Sequence, residues 1–290
     1  IMNIKIITDS AADLPEEEVR KLEIRVIPLS VVQGETILKD GVDIHPDEIY
    51  ARQRQGESFT TSQISYTEFT EVFEGYAKEG RPFLYISFSS GISGTYQTSC
   101  LALSDLKEKY PEMVGECIDS KSVLGGLGMV LEKVAPIALE GANMAQLTEA
   151  VEKYSKAVRH IFTVTDLNYL YKGGRLSKSS AVMGNMLKIN PVLIVNADGG
   201  LEVLAKARGE RKVIQRMIDY VKENGGDTAG EEFVITTCDN PEYAEKLKET
   251  VEKKFDPKNV TILPAAPIIG THLGPGAITL HFFNQDQLKD

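Results

Sequence analysis

Five short loops hold most of the residues in this sequence that are equipped for chemistry. Ser89-Ser90-Gly91-Ile92-Ser93-Gly94-Thr95 follows an apolar run and precedes a helical pattern. Small residues let backbone approach a ligand, and free N–H groups at a helix start favour an anion. Ser93 could add a hydroxyl; the plainer alternative makes it an N-cap beside a tight turn. Thr60-Thr61-Ser62-Gln63 offers hydroxyls as ligand contacts or as caps for a helix starting near Thr67. Thr8-Asp9-Ser10 stands at the C-terminal end of a first strand, the edge where open α/β sheets bind ligands. The plainer reading there is Ser10 or Asp13 capping a helix. Tyr171-Lys172-Gly173-Gly174-Arg175-Leu176-Ser177 reads as an exposed basic knuckle, and Gly270-Thr271-His272-Leu273-Gly274-Pro275-Gly276 as a loop around one of four histidines.

Other chemistries lack their residues. There is no GxxxxGK[ST] phosphate loop, and no GxGxxG follows the first strand. Gly91-Ile92-Ser93-Gly94-Thr95 is half a nucleophile elbow, with Thr95 where the second glycine belongs. No HExxH or clustered His/Cys set marks a catalytic metal, and no cofactor is expected. Cys100, Cys117 and Cys238 are odd in number and scattered, which opposes a disulfide framework. The net charge of −10 opposes nucleic-acid binding, which rests on Lys and Arg neutralising phosphates. No apolar stretch reaches the roughly 18 residues of a membrane span. No charged segment followed by an apolar run opens the sequence, so a cytoplasmic protein is expected.

The elements that must position these loops follow from periodicity. Ile4–Ile7, Phe83–Phe88 and Val114–Asp119 read as strands. Leu14–Leu22, Thr95–Tyr110, Val123–Leu139 and Met144–Val158 read as helices, and Ile24–Val32 as β-rich. That alternation predicts an N-terminal α/β/α domain with a parallel sheet over residues 2–157. Within it, Lys39-Asp40-Gly41 signals a hairpin in a small antiparallel subdomain near 28–44. From 158 to 290 the texture changes. His160–Thr165 and Pro191–Val195 read as strands, and Asn196–Gly200 turns into Leu201–Ala207. A C-terminal α/β domain with a mixed sheet and helices on one face is predicted. A chain of 290 residues suits two such domains.

Thr8-Asp9-Ser10 with Asp13-Leu14-Pro15, Ser89–Tyr96, Gly173-Gly174-Arg175 and Thr271–Gly276, in that order, resemble the DegV family. That family includes the FakB-type fatty acid-binding subunits of bacterial fatty acid kinase. The resemblance implies a long-chain fatty acid buried between two domains and no catalysis by this chain alone. A separate ATP-binding kinase subunit would phosphorylate the carboxylate. Thr61, Ser93 and the Gly94 N–H would hold the carboxylate, with Ser62, Thr95 and His272 close by. Arg175, with Lys172, would face the kinase. Ile64, Met183, Met186, Leu187, Ile268 and Ile269 are the expected acyl-chain pocket. Ala11 and Ala12 stand where the family often carries hydroxyls, which weakens direct contact from that loop. The rival reading is a serine-dependent acyl hydrolase using Ser93 and His272.

Overall fold

The computed structural model describes residues 3–177 and 189–289. In the first sheet, strands β1 (Lys5–Asp9), β2 (Arg25–Ile27), β6 (Phe83–Ser87) and β7 (Gly115–Asp119) lie in the order β2-β1-β6-β7, all parallel. The β6 sequence FLYIS is buried along its whole length, as a central strand covered on both faces must be. Helices α3 (Tyr66–Lys78) and α4 (Thr95–Lys109) pack together on one side. Phe69 and Phe73 of α3 meet Tyr85 and Phe83 of β6 with centroids 4.7–6.1 Å apart. α3 starts at a capping box, Ser65 accepting from the Glu68 N–H and Glu68 from the Ser65 N–H.

Helix α5 (Leu124–Leu139) lies between the two large sheets, touching β1 on one side and the second sheet on the other. Its first turns are buried on every face, which explains the unpatterned run LGGLGMVL. α6 (Met144–Ala157) packs against α5 and leads into β8 (Val158–Thr163). The second sheet adds β9 (Asn190–Val195), β10 (Leu201–Ala207), β11 (Glu232–Thr237), β12 (Asn259–Pro264) and β13 (Ile278–Phe283), in the order β10-β9-β8-β13-β11-β12. Its pairs are antiparallel except β11–β12, which α9 (Pro241–Phe255) joins by a crossover. The strands alternate between two cores, except where a register shift between Val203 and Ala205 interrupts β10. Ile161, Ile235, Leu280 and Phe282 face α9 and α8 (Glu210–Asn224) in one core, while Phe162, Leu193, Val234 and Phe283 join the N-terminal core. The predicted parallel sheet and mixed sheet are therefore both present.

The small antiparallel sheet has three strands, β4 (Thr36–Lys39), β3 (Ser30–Gln33) and β5 (Thr60–Ser62) in that order. Its hairpin turns at Gly34-Glu35, with Gly34 at φ 58°, and not at Asp40-Gly41 as the sequence suggested. Asp40-Gly41 instead leads toward α2 (Pro46–Arg54), a helix not anticipated from the sequence. α1 (Glu16–Lys21) has Pro15 at its N-cap with no side-chain cap, so neither Ser10 nor Asp13 caps it. Two further short helices, α7 (Asn168–Lys172) and α10 (Pro267–Leu273), carry the basic and histidine motifs.

Candidate functional site

His272 sits on the last turn of α10, not in a loop. Pro267 at the first helical position, whose missing N–H is an orphan there anyway, starts the helix, and Gly274 at φ 77° ends it. Side chains of the N-terminal half hold α10 in place. Asp13 accepts from the Ala266 N–H at 2.9 Å, Tyr50 donates to the Ala265 carbonyl at 2.6 Å and Gln53 to the Gly270 carbonyl at 3.2 Å. Across from α10, α7 comes so near that a Cβ on Gly173 would lie 2.1 Å from His272 Nδ1. The imidazole Nε2 pairs with the Thr61 hydroxyl of β5 at 2.7 Å. Burial, and then the charge of Arg175, hold His272 down at about 4, so its ring is neutral at pH 7.

Arg175 is half-buried rather than an exposed knuckle. Its guanidinium donates to the Ile92 carbonyl at 3.1 Å and to the Gly173 carbonyl, tying the loop after α7 to the serine loop. Lys172 is exposed. In the serine loop, Gly94 is the N-cap of α4 and supplies no side-chain cap. The Ser93 hydroxyl bonds the Thr95 hydroxyl at 2.9 Å and accepts from the Thr95 N–H at 3.2 Å. Thr95 is buried, Ser93 is half-buried, and Ser62 is exposed at the end of β5. Ser89 donates to the Gly199 carbonyl at 2.6 Å, anchoring the same loop to the hairpin turn of the second sheet. Ser93 and His272 are not hydrogen-bonded to each other, so the dyad of a serine hydrolase is not assembled.

Two spaces meet at this point. An apolar cavity runs between α5 and the second sheet, lined by Ile92, Leu124, Phe162, Leu170, Leu201 and Ile269 among others. On the outer side, an open cleft of about 490 Å³ is lined by Thr60, Thr61, Tyr169, Lys172 and Thr271. Arg175 and His272 line both spaces. A chain buried in the cavity would therefore reach solvent past a neutral imidazole, a guanidinium and the Thr61 hydroxyl. Such an arrangement suits an amphiphile with an apolar tail and an anionic head. A third, wider groove of about 780 Å³ lies between α1, α5 and β12. Its lining mixes Glu18, Lys21, Glu132 and Lys133 without a common focus.

Of the residues expected to touch an acyl chain, Ile269 lines the cavity. Ile64 and Ile268 are buried in the surrounding core outside that lining, and Met183, Met186 and Leu187 lie outside the described residues. Ile92, Leu124, Phe162 and Leu201 were not anticipated. The same-face alternation of β8 gives Phe162 a signal, but nothing local distinguishes a cavity wall from a filled core. The Thr8-Asp9-Ser10 turn is structural. Asp9 is fully buried and accepts from Tyr85 at 2.7 Å and from the Phe88 N–H at 3.0 Å. Burial pushes its carboxyl up to about 6. Among the described residues no group of three or more His, Cys, Asp or Glu is placed to hold a metal ion, and no helix is long and apolar enough to cross a membrane.

The DegV family of uncharacterised proteins matches residues 3–285. A DegV domain-containing protein of Caldanaerobacter subterraneus is 36% identical over 279 residues, 96% of this chain and 98% of that one. A Thermus thermophilus structure described as fatty acid binding of a DegV family protein superposes with a TM-score of 0.87 at 26% identity, covering 98% of this chain and 100% of the other. A stearic acid-binding protein of Eubacterium ventriosum gives 0.85 at 28% identity over 97% and 98% of the two chains. The Streptococcus pneumoniae fatty acid kinase B3 protein loaded with linoleic acid gives 0.84 at 23% identity over 98% and 100%, a likeness of fold alone.

Proposed function

Because this chain belongs to the DegV family, we propose that it binds a long-chain fatty acid in the cavity between its two sheets, with the carboxylate at the Thr61–His272–Arg175 junction. One observation carries this reading: among the described residues, the apolar cavity and the outer cleft share only Arg175 and His272. Solved relatives described as binding fatty acids support it. In this reading residues 2–157 and 158–290 are the two domains that enclose the chain.

The energetics suit the role. About 14 methylenes at roughly 0.8 kcal/mol each give about 11 kcal/mol of gross burial. Ordering and association costs remove a large part of that. About 30 Å³ of the cavity is open to a water-sized body, so side chains of the lining swing aside as the tail enters. At the head, neutral His272 and the Thr61 hydroxyl stabilise a carboxylate without neutralising it; Ser93, whose hydroxyl pairs with Thr95, lines neither space. Arg175 supplies one positive charge, and two of its donors are already committed to backbone carbonyls. A carboxylate held this way keeps lone pairs free and faces an open cleft. The chain thus presents it to a separate kinase subunit for phosphorylation, with exposed Lys172 on the docking rim.

Solvent extraction of the protein purified from bacteria, followed by mass spectrometry, tests the reading. A stoichiometric, non-covalent fatty acid is expected. An empty protein that takes up no added stearate would overturn it.

A further inference from the structure

The sheet wall of the cavity is not apolar throughout. β8 and β13 pair antiparallel with His160 opposite His281, and both rings line the cavity together with Thr279. The rings meet edge-on, with centroids 5.1 Å apart and planes at 82°. The carboxylate junction uses none of these residues. Burial pushes His160 down to about 3 and His281 well below its ordinary value, so both rings are neutral. A neutral imidazole has one donor and one acceptor nitrogen. His160 Nε2 accepts from the Val123 N–H at 3.3 Å. His281 Nε2 lies 2.7 Å from the Thr279 hydroxyl and 3.0 Å from that of Thr236, and the two hydroxyls also bond each other.

His281 Nδ1, across the ring from those threonines, is buried without a partner among the described residues. An orphaned buried polar atom is costly, and a leucine or phenylalanine would fill this wall without one. The fold also makes room for the rings. Gly125 and Gly126 of α5 face them, and a Cβ on Gly126 would lie 2.2 Å from His160 Nε2, one on Gly125 3.0 Å from His281 Cδ2. Two adjacent glycines in a helix each disfavour it relative to alanine. The sequence therefore keeps two unfavourable features side by side, and a polar atom on the ligand relieves the larger of them.

We propose that His281, flanked by His160 and Thr279, is a second polar station in the acyl cavity, and that it selects long-chain hydroxy fatty acids. A hydroxyl both donates and accepts, so it satisfies Nδ1 in either tautomer; a carbonyl satisfies only one, and a charged group would be desolvated among neutral rings. The inference rests on the fatty acid reading of the same cavity. A water buried with the tail is its competitor for the same atom.

The test titrates delipidated protein with stearic acid and with monohydroxystearic acids carrying the hydroxyl at successive positions. One isomer is expected to bind about tenfold tighter than its neighbours in the series. His281→Phe should erase that preference, with every isomer then binding no tighter than stearate does to the same variant. An imidazole ¹⁵N spectrum of the unaltered protein gives a second readout should the variant not fold. The His281 Nδ1 resonance should move with the preferred isomer and stay with stearate. Stearate binding with all isomers uniformly weaker and a stationary Nδ1 resonance would overturn this inference alone. No binding of any acid would overturn the fatty acid reading with it.

Discussion

Replacing Thr61 by valine removes one hydroxyl and little volume. Thr61 is half-buried on β5, and a β-branched replacement suits a strand, so the backbone should tolerate it. In the free protein the lost bond is the 2.7 Å contact with neutral His272. A neutral hydrogen bond is worth about 0.5–1.5 kcal/mol, whereas one to a charged group is worth about 1.5–3 kcal/mol. The affinity lost for a carboxylate is the difference, about 1–1.5 kcal/mol, or roughly five- to twelvefold. A matched long-chain alcohol carries no charge and should lose about twofold at most. Calorimetric titration with stearic acid and octadecanol measures both losses, and thermal unfolding checks that the fold is kept. Equal weakening for acid and alcohol, or none for either, would refute the assignment of Thr61 to the carboxylate.

Three further outcomes follow from other parts of the structure. Lys172→Glu should leave stearate affinity unchanged and weaken docking of a fatty acid kinase subunit by roughly fivefold, the worth of about 1 kcal/mol at an exposed rim; equal docking in a pull-down titration would remove Lys172 from the interface. Gly126→Ala drives a Cβ toward His160 and should cost about 1–3 kcal/mol, read as a lower urea midpoint at unchanged slope. Asp40, behind α10, is pushed by burial up to about 7 against the pull of the Ser10 hydroxyl. A carboxyl raised on folding adds stability that is complete below its unfolded value and is lost as pH rises through 7. Asp40→Asn should therefore gain on the parent protein between pH 4 and 7, by roughly 1 kcal/mol per unit, and a pH-independent difference in urea denaturation would contradict the raised value.

Much of the fold is legible because its signals are local. The buried run FLYIS, the helix read over Val123–Leu139 and the Asn196–Gly200 turn all lie where the sequence puts them, within a residue. Errors arise where the deciding contact is distant. Ile24–Val32 reads as one β segment, yet Pro28-Leu29 divides it between two sheets, β2 pairing with β1 and β3 with β4 and β5. The glycines around His272 read as a loop because the packing that folds them into α10 comes from Tyr50 and Gln53, more than 200 residues earlier. Arg175 reads as a solvated charge because its acceptor, the Ile92 carbonyl, lies 83 residues away. The cavity wall is the least legible part. Leu124, Phe162 and Leu201 differ in no local way from the leucines and phenylalanines that fill the core.

A crystal structure of the protein with bound stearate tests the central claim most directly. The predicted result has the carboxylate within hydrogen-bonding distance of Thr61, His272 and Arg175, and the tail running between α5 and the second sheet past Phe162 and Leu201. Stearate lying in the groove between α1, α5 and β12, or with its carboxylate buried at the His160–His281 end, would contradict it.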